Sequence, residues 1–280
     1  MKISELSFEK IRTMISDRAY YYPRRIKRIL LSFATFFIKE HKIRYKDTEI
    51  VVNVSSKWDL DRARGGLEEF VLDQIYDTLC VDNSENAYYE IGACTGINSL
   101  IVSKLIKDRN GKCVVFEPSP ADINTIAKNI LKNDTKNMSI IPIAVSNIND
   151  LSKFYLDKPK INSGQGGHSL NYVDFMDKSR FISIPCMRLD DAIRSFKLPM
   201  PTFISLDVEG HEKEVLEGMG GVLSHPKLRN IIIEVLGTKD PHCSKVTDIL
   251  KKAGYCIKDY QAAGQRDVVH CMVNYEKTEN

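Results

Sequence analysis

A glycine turn held between two apolar segments constrains this chain more than any other feature. Tyr88 and Tyr89 lead into Glu90-Ile91-Gly92-Ala93-Cys94-Thr95-Gly96, and about twenty residues later Cys113-Val114-Val115-Phe116 ends in Glu117. A strand, a glycine turn, a helix and a second strand closing on a carboxylate is how an α/β domain holds a nucleoside-bearing ligand. The glycines let the backbone pass close beneath the ligand, and the acid accepts from the two ribose hydroxyls.

The rest of the chain supports such a domain. Helical periodicity runs from Leu67 to Leu79, and strands and helices then alternate: strands at Tyr88–Ile91, Cys113–Phe116 and Ser139–Ala144, helices at Ile97–Ile106 and Ala121–Leu131. The alternation pauses over Phe154 to Ile184. There a glycine-rich loop, Asn162–Asn171, is a candidate lid carrying His168, and Ile182–Met187 reads as an edge strand. It resumes with a helix at Leu189–Phe196, a strand at Thr202–Leu206, a helix at Glu212–Leu223, a strand at Asn230–Val235 and a helix at Ser244–Ala253. Two last strands, Tyr255–Tyr260 and Val268–Tyr275, flank a Gly264-Gln265 turn and must be antiparallel. The expected fold is a Rossmann-like, mainly parallel seven-stranded sheet with an antiparallel C-terminal strand and helices on both faces.

The spacing Glu90-x-Gly92-x-x-x-Gly96 differs from the GxGxxG of a pyrophosphate site, because Cys94 brings a side chain where a glycine would stand. Glu90 would repel a pyrophosphate and attract an ammonium. A ligand with a ribose, an ammonium and a positive sulfonium, and no phosphate, suits the turn better; S-adenosylmethionine has that composition. A second constellation follows an apolar strand: Phe203-Ile204-Ser205-Leu206-Asp207-Val208-Glu209-Gly210-His211-Glu212. Ligands in open parallel sheets bind beyond the carboxyl ends of the strands. Asp207, Glu209 and His211 are therefore the candidate catalytic groups, and Glu234 should approach the same edge. His211 could act as a base near neutral pH. Asp207 or Glu209 could act directly, or through a divalent cation that lowers the pKa of a hydroxyl.

With these pieces in place, residues from about 66 to 275 resemble the FkbM-type S-adenosylmethionine-dependent methyltransferases. The matching pieces, in the family's order, are Glu90-Ile-Gly-Ala-Cys-Thr-Gly, Phe116-Glu117-Pro118, Ala144-Val145-Ser146, Arg188-Leu189-Asp190-Asp191 and Asp207-Val-Glu-Gly-His-Glu. Glu90 stands where the family usually has Asp, and Cys94-Thr95 where Asn-Ile is frequent. The resemblance implies that Gly92, Ala93 and Gly96 line the cofactor, that Glu117 holds its ribose and that Ala144 and Val145 flank its adenine. Glu90 and Asp207 are counted among the groups facing the donor. It further implies O-methylation of a hydroxyl on a sugar, glycan or glycolipid. The alternatives are a small natural product as acceptor, or a non-catalytic cofactor-binding scaffold subunit.

Charge divides the chain. Residues 1–46 carry a net charge of about +8 and the remainder about −5. The first segment reads as helical, with Pro23 as a break. Its basic cluster Arg24-Arg25-Ile26-Lys27-Arg28 precedes Phe33, Phe36 and Phe37, so contact with an anionic membrane surface or with a second copy is weighed beside simple packing. The chain is thus divided into a basic helical extension, 1–65, and a methyltransferase domain, 66–280. The apolar run Ile29–Ile38 is about half the roughly 20 residues that span a bilayer. It begins late for a signal peptide, and no small-residue cleavage site follows it. Seven cysteines with no CxxC pair suggest reduced, mostly buried thiols and a cytoplasmic location. An acidic body and no recognised RNA-binding motif speak against a nucleic-acid partner. Tyr20, Tyr21, Tyr22 and Trp58 could form an acceptor platform, with packing the simpler reading.

Overall fold

A computed structural model describes residues 38–54, 59–60, 63, 68–80, 85–156, 170, 179–236, 240–265 and 268–278. The readings at residues 1–37, Trp58, Gly65-Gly66 and the glycine-rich loop with His168 lie outside them.

The expected seven-stranded sheet is present. In space its strands run β11 (Tyr255–Gln265), β12 (Val268–Lys277), β10 (Asn230–Leu236), β9 (Phe203–Leu206), β3 (Ala87–Ile91), β4 (Lys112–Phe116) and β5 (Met138–Ile141). β10, β9, β3, β4 and β5 are mutually parallel, and β12 runs antiparallel between β10 and β11. The last two strands are longer than their apolar pattern suggested. Gly264 pairs with Val269 and Gln265 with Val268, so the expected Gly264-Gln265 turn is part of β11.

Alternation along the strands sends successive side chains to opposite faces. Tyr89, Ile91, Val114, Phe116, Ile204, Leu206, Ile231 and Ile233 join one buried cluster with α4 (Leu189–Phe196), α5 (Glu212–Glu217), α6 (Gly220–Ser224) and α7 (Lys245–Lys252). Tyr88, Cys113, Val115, Phe203 and Ile232 join the other with α1 (Glu69–Leu79), α2 (Ile97–Ile106) and α3 (Pro120–Asn133).

Four sequence readings need correction. Residues 40–45 are not helical: β1 (Glu40–Tyr45) pairs antiparallel with β2 (Thr48–Asn53). Ile43, Tyr45, Ile50 and Val52 all enter the α1–α3 cluster, each buried side chain stabilising by about 1.5–3 kcal/mol. Period-2 burial therefore outweighs the helical pattern read across Lys39–Lys46. The segment Ser139–Ala144 is two strands. Pro142, without an N–H, ends β5, and β6 (Ala144–Val145) joins a separate sheet beside β8 (Phe181–Met187), which in turn pairs with β7 (Asp150–Tyr155). β8 is accordingly the centre of that small sheet and not an edge. Finally, Glu212–Leu223 is broken into α5 and α6. An added Cβ at Gly218 would stand 1.9 Å from the Ser146 carbonyl oxygen, so the chain crosses the end of β6 too closely for a side chain.

Cys113, Cys186 and Cys271 are buried and free of disulfides. Among the described residues no helix is long and apolar enough to cross a membrane.

Candidate active site

The site forms where β3 and β9 end side by side. Gly92 has φ +86°, and an added Cβ there would lie 1.8 Å from the Asp207 carbonyl oxygen. The ends of β9 and β3 are tied by Asp207 N–H donating to Ile91 O at 3.0 Å, and Gly92 N–H donates to Phe116 O, at the end of β4, at 3.0 Å. Gly96 is also left-handed, at φ +70°, and so is Cys94, at φ +52°. A cleft opens over this junction. Its lining includes Glu68, Glu90, Gly92, Ala93, Thr95, Asn98 and Asp207, and among the described residues it contains no Lys or Arg.

Glu90, Gly92, Ala93 and Asp207 thus meet at one cleft. Glu90 also has a local task. Gly96 gives α2 no side-chain cap, and Glu90 substitutes for one: its Oε2 accepts from Ser99 N–H at 3.2 Å and from the Ser99 hydroxyl. Asp207 is only partly satisfied: its carboxyl shares a side-chain hydrogen bond with Glu234. Its Oδ1 is buried without a hydrogen-bond partner, and burial, followed by the neighbouring charges of Glu234 and Glu209, holds its carboxyl well above the usual carboxylate range. Glu234 is there because Ile233 pairs with Leu206, which places the next residues of β10 and β9 side by side. Glu209 sits on the following turn, itself at φ +54°.

Glu117 lies beneath the glycine turn and does not line the cleft. Its Oε2 accepts from Cys94 N–H at 2.9 Å and its Oε1 from Ser119 N–H, also at 2.9 Å, at the cap of α3. Burial, then the charge of Asp122, pushes Glu117 up to about 8. Ala144 and Val145 are buried in β6.

His211 is elsewhere. It is buried, with Nε2 3.0 Å from the Ser146 hydroxyl and Nδ1 3.6 Å from Glu214 Oε2, and burial holds its pKa below the usual imidazole value. It joins the end of β6 to the start of α5 and is absent from the cleft lining. Its partner was already visible in the Ala144-Val145-Ser146 motif, though nothing in the spacing announced the pairing. We expect His211→Gln to lower the melting temperature while keeping at least a third of wild-type kcat; a hundredfold loss in kcat would return His211 to the chemistry.

Glu68, Asn98 and Met272 line the cleft without having been singled out in the sequence. Glu68 is joined to Asn98, whose Nδ2 donates to its Oε2 at 3.0 Å. Ser205 lines it too, and could have been found, because it precedes Asp207 by two on the same strand face. Among the described residues no group of three His, Cys, Asp or Glu is arranged to hold a metal ion.

Comparison with known proteins decides what this arrangement belongs to. The profile of the Methyltransferase FkbM domain matches residues 90–257, from the glycine turn into β11. The chain belongs to the FkbM-domain methyltransferases. A curated relative, the hexuronic acid methyltransferase AglP of Haloferax volcanii, is 26% identical over 172 residues, 60% of this chain and 63% of that protein. The match thus spans less than two thirds of the relative's length. Among solved structures, precorrin-6y C5,15-methyltransferase of Geobacter metallireducens aligns with a TM-score of 0.44 and 16% identity over 77% of this chain and 92% of its own. Methyltransferase FkbM of Methylobacillus flagellatus aligns with a TM-score of 0.39 and 17% identity over 68% of this chain and 44% of its own.

Proposed function

We propose that this FkbM-domain protein transfers the methyl group of S-adenosylmethionine to a carbohydrate hydroxyl. The observation that carries the reading is the charge of the cleft. Glu68, Glu90 and Asp207 line it with no described Lys or Arg, a donor set suited to an ammonium and a sulfonium and hostile to a pyrophosphate. The fit is supported by the glycine floor, where a Cβ would fill the space at Gly92, and by the partnerless Asp207 Oδ1.

When bound, the donor supplies a methyl on a positively charged sulfur with a neutral leaving group. The chain's own residues then position and deprotonate. Glu90 and Glu68 attract the cationic end. Glu117 stands just outside the described cleft lining, behind the Cys94 N–H, and the lone pairs that its two N–H bonds leave free are those that the ribose hydroxyls would take, since a carboxylate offers about four acceptor sites. Ala144 and Val145 flank the base. Asp207 accepts the proton of the acceptor hydroxyl, for which its raised pKa makes it a stronger base than an ordinary carboxylate. Acceleration comes mainly from holding the hydroxyl in line with the methyl.

The relative named above acts on a hexuronic acid, an anion. The acid lining of this chain favours a neutral sugar instead. Labelled donor should methylate neutral glycosides in preference to glucuronides, and calorimetry should detect S-adenosylhomocysteine binding. Absence of that binding would end the reading, and preference for glucuronides would end its acceptor half.

Glu117→Gln should weaken S-adenosylhomocysteine about tenfold to a hundredfold, the worth of a hydrogen bond to a charged group. Because Glu117 sits at about 8, wild-type affinity should strengthen from pH 6 to pH 9 as the acceptor form fills, and the variant's affinity should be flat.

A further inference from the structure

We propose that the amino-terminal hairpin β1–β2 is a working part of the donor site, and that Asn129 is the positioning residue joining the two. The inference rests on the reading that the cleft takes an S-adenosyl donor. The hairpin lies upstream of residue 90, where the family match begins, yet it is fastened to the glycine turn through one side chain. Asn129 is almost fully buried, on the inner face of α3. Its Oδ1 accepts from Asn53 N–H at 2.8 Å and from Asn53 Nδ2 at 3.0 Å, and its Nδ2 donates to the Thr95 carbonyl at 3.3 Å.

One helical turn later Asn133 repeats the first half of this arrangement. Its Oδ1 accepts from Val51 N–H at 2.8 Å and its Nδ2 donates to Val51 O at 2.7 Å, with no bond to the turn. Two amides at i and i+4 lie on one helix face. Here they give β2 the bonds a neighbouring strand would supply and so cover its edge. Only Asn129 extends that clamp to the cleft. Thr95 lines the cleft, and its carbonyl lies between two left-handed residues, Cys94 and Gly96, where no helix or strand ladder dictates the backbone. The turn is also seated on α3 by packing, since an added Cβ at Gly96 would lie 3.0 Å from Ile126. A donor pressed against Thr95 is therefore pressed, through Asn129, against the hairpin.

The comparison of Asn129→Ala with Asn133→Ala in the full chain tests this, because each removes one clamp from β2 and only the first releases Thr95. Both should lower the melting temperature. Only Asn129→Ala should speed ligand-free amide exchange at Cys94–Gly96 and raise the Kd of S-adenosylhomocysteine, by about tenfold for one lost hydrogen bond, with kcat at saturating donor within twofold. Asn129→Asp keeps the acceptor for Asn53 and loses the donor to Thr95, and should reproduce both effects. Equal exchange and Kd in the 129 and 133 variants would overturn the proposal. So would failure of both 129 variants to fold while Asn133→Ala folds, which would make Asn129 purely structural. If the wild type binds no S-adenosylhomocysteine, the donor reading fails, while the exchange comparison still decides whether Asn129 holds the turn.

Discussion

Gly92→Ala should yield a chain that melts far below the wild type and binds no S-adenosylhomocysteine. Two effects act together. The backbone at φ +86° is a conformation alanine reaches only with strain. The new methyl would also lie 1.8 Å from the Asp207 carbonyl oxygen, which is backbone and cannot rotate away. Strain and overpacking each cost on the order of 1–3 kcal/mol. For a domain of this size that combination lowers the melting temperature by roughly 5–15 °C. To relieve the contact, β3 and β9 must part at the floor of the cleft, so donor affinity should fall with stability. Gly220→Ala is the matched control: nothing lies within 4 Å of its added Cβ, it has no positive φ, and it opens α6. Alanine there should be neutral or stabilising by up to about 1 kcal/mol. A Gly92→Ala protein that melts within 2 °C of wild type with unchanged Kd would mean that the two strand ends are not in contact.

The elements that hold the cleft were legible in the sequence because their signals are local. Ile97–Ile106 and Leu189–Phe196 lie where helical spacing put them, and β3, β4 and β9 differ from their expected ends by a residue. Glu234 was expected near the same sheet edge as Asp207 from its place late in the next strand, and the register brings it there. What escaped was set by tertiary contact. The hairpin strand Glu40–Tyr45 gains its period-2 burial from the cluster it shares with α1, α2 and α3, which lie later in the sequence. The break at Gly218 has its cause at Ser146, on another strand. His211 shows the same limit at the site. A histidine two residues past an acidic turn looks like a base, and only the fold shows its imidazole turned to Ser146 and Glu214. Glu90 was read for its charge toward a ligand, and its second use as the cap of α2 follows from Gly96 having no side chain to offer.

Asp207→Asn should separate activity from stability in opposite directions. Removing the base should cost about 10²-fold or more in kcat, while the same change should make the ligand-free protein more stable at neutral pH. The sign follows from the proton. In the folded chain burial, Glu234 and Glu209 raise this carboxyl above its unfolded value of about 3.9. The folded state therefore binds the proton more tightly than the unfolded one. The stability this contributes is complete below about pH 4 and is lost as pH rises toward the folded pKa. Asparagine carries no charge to bury and its amide can donate to a neighbouring carboxylate. At pH 8 the variant should be more stable by on the order of 1–3 kcal/mol, because it avoids the buried charge beside Glu234 and Glu209. The gain in melting temperature over wild type should be near zero at pH 4 and grow toward pH 8. The wild-type kcat should rise with pH over the range in which Asp207 loses its proton, and that limb should vanish in the variant. Loss of activity with loss of stability at every pH would show that the hydrogen bond between Asp207 and Glu234 braces the turn, which would leave the proton of the acceptor to another group.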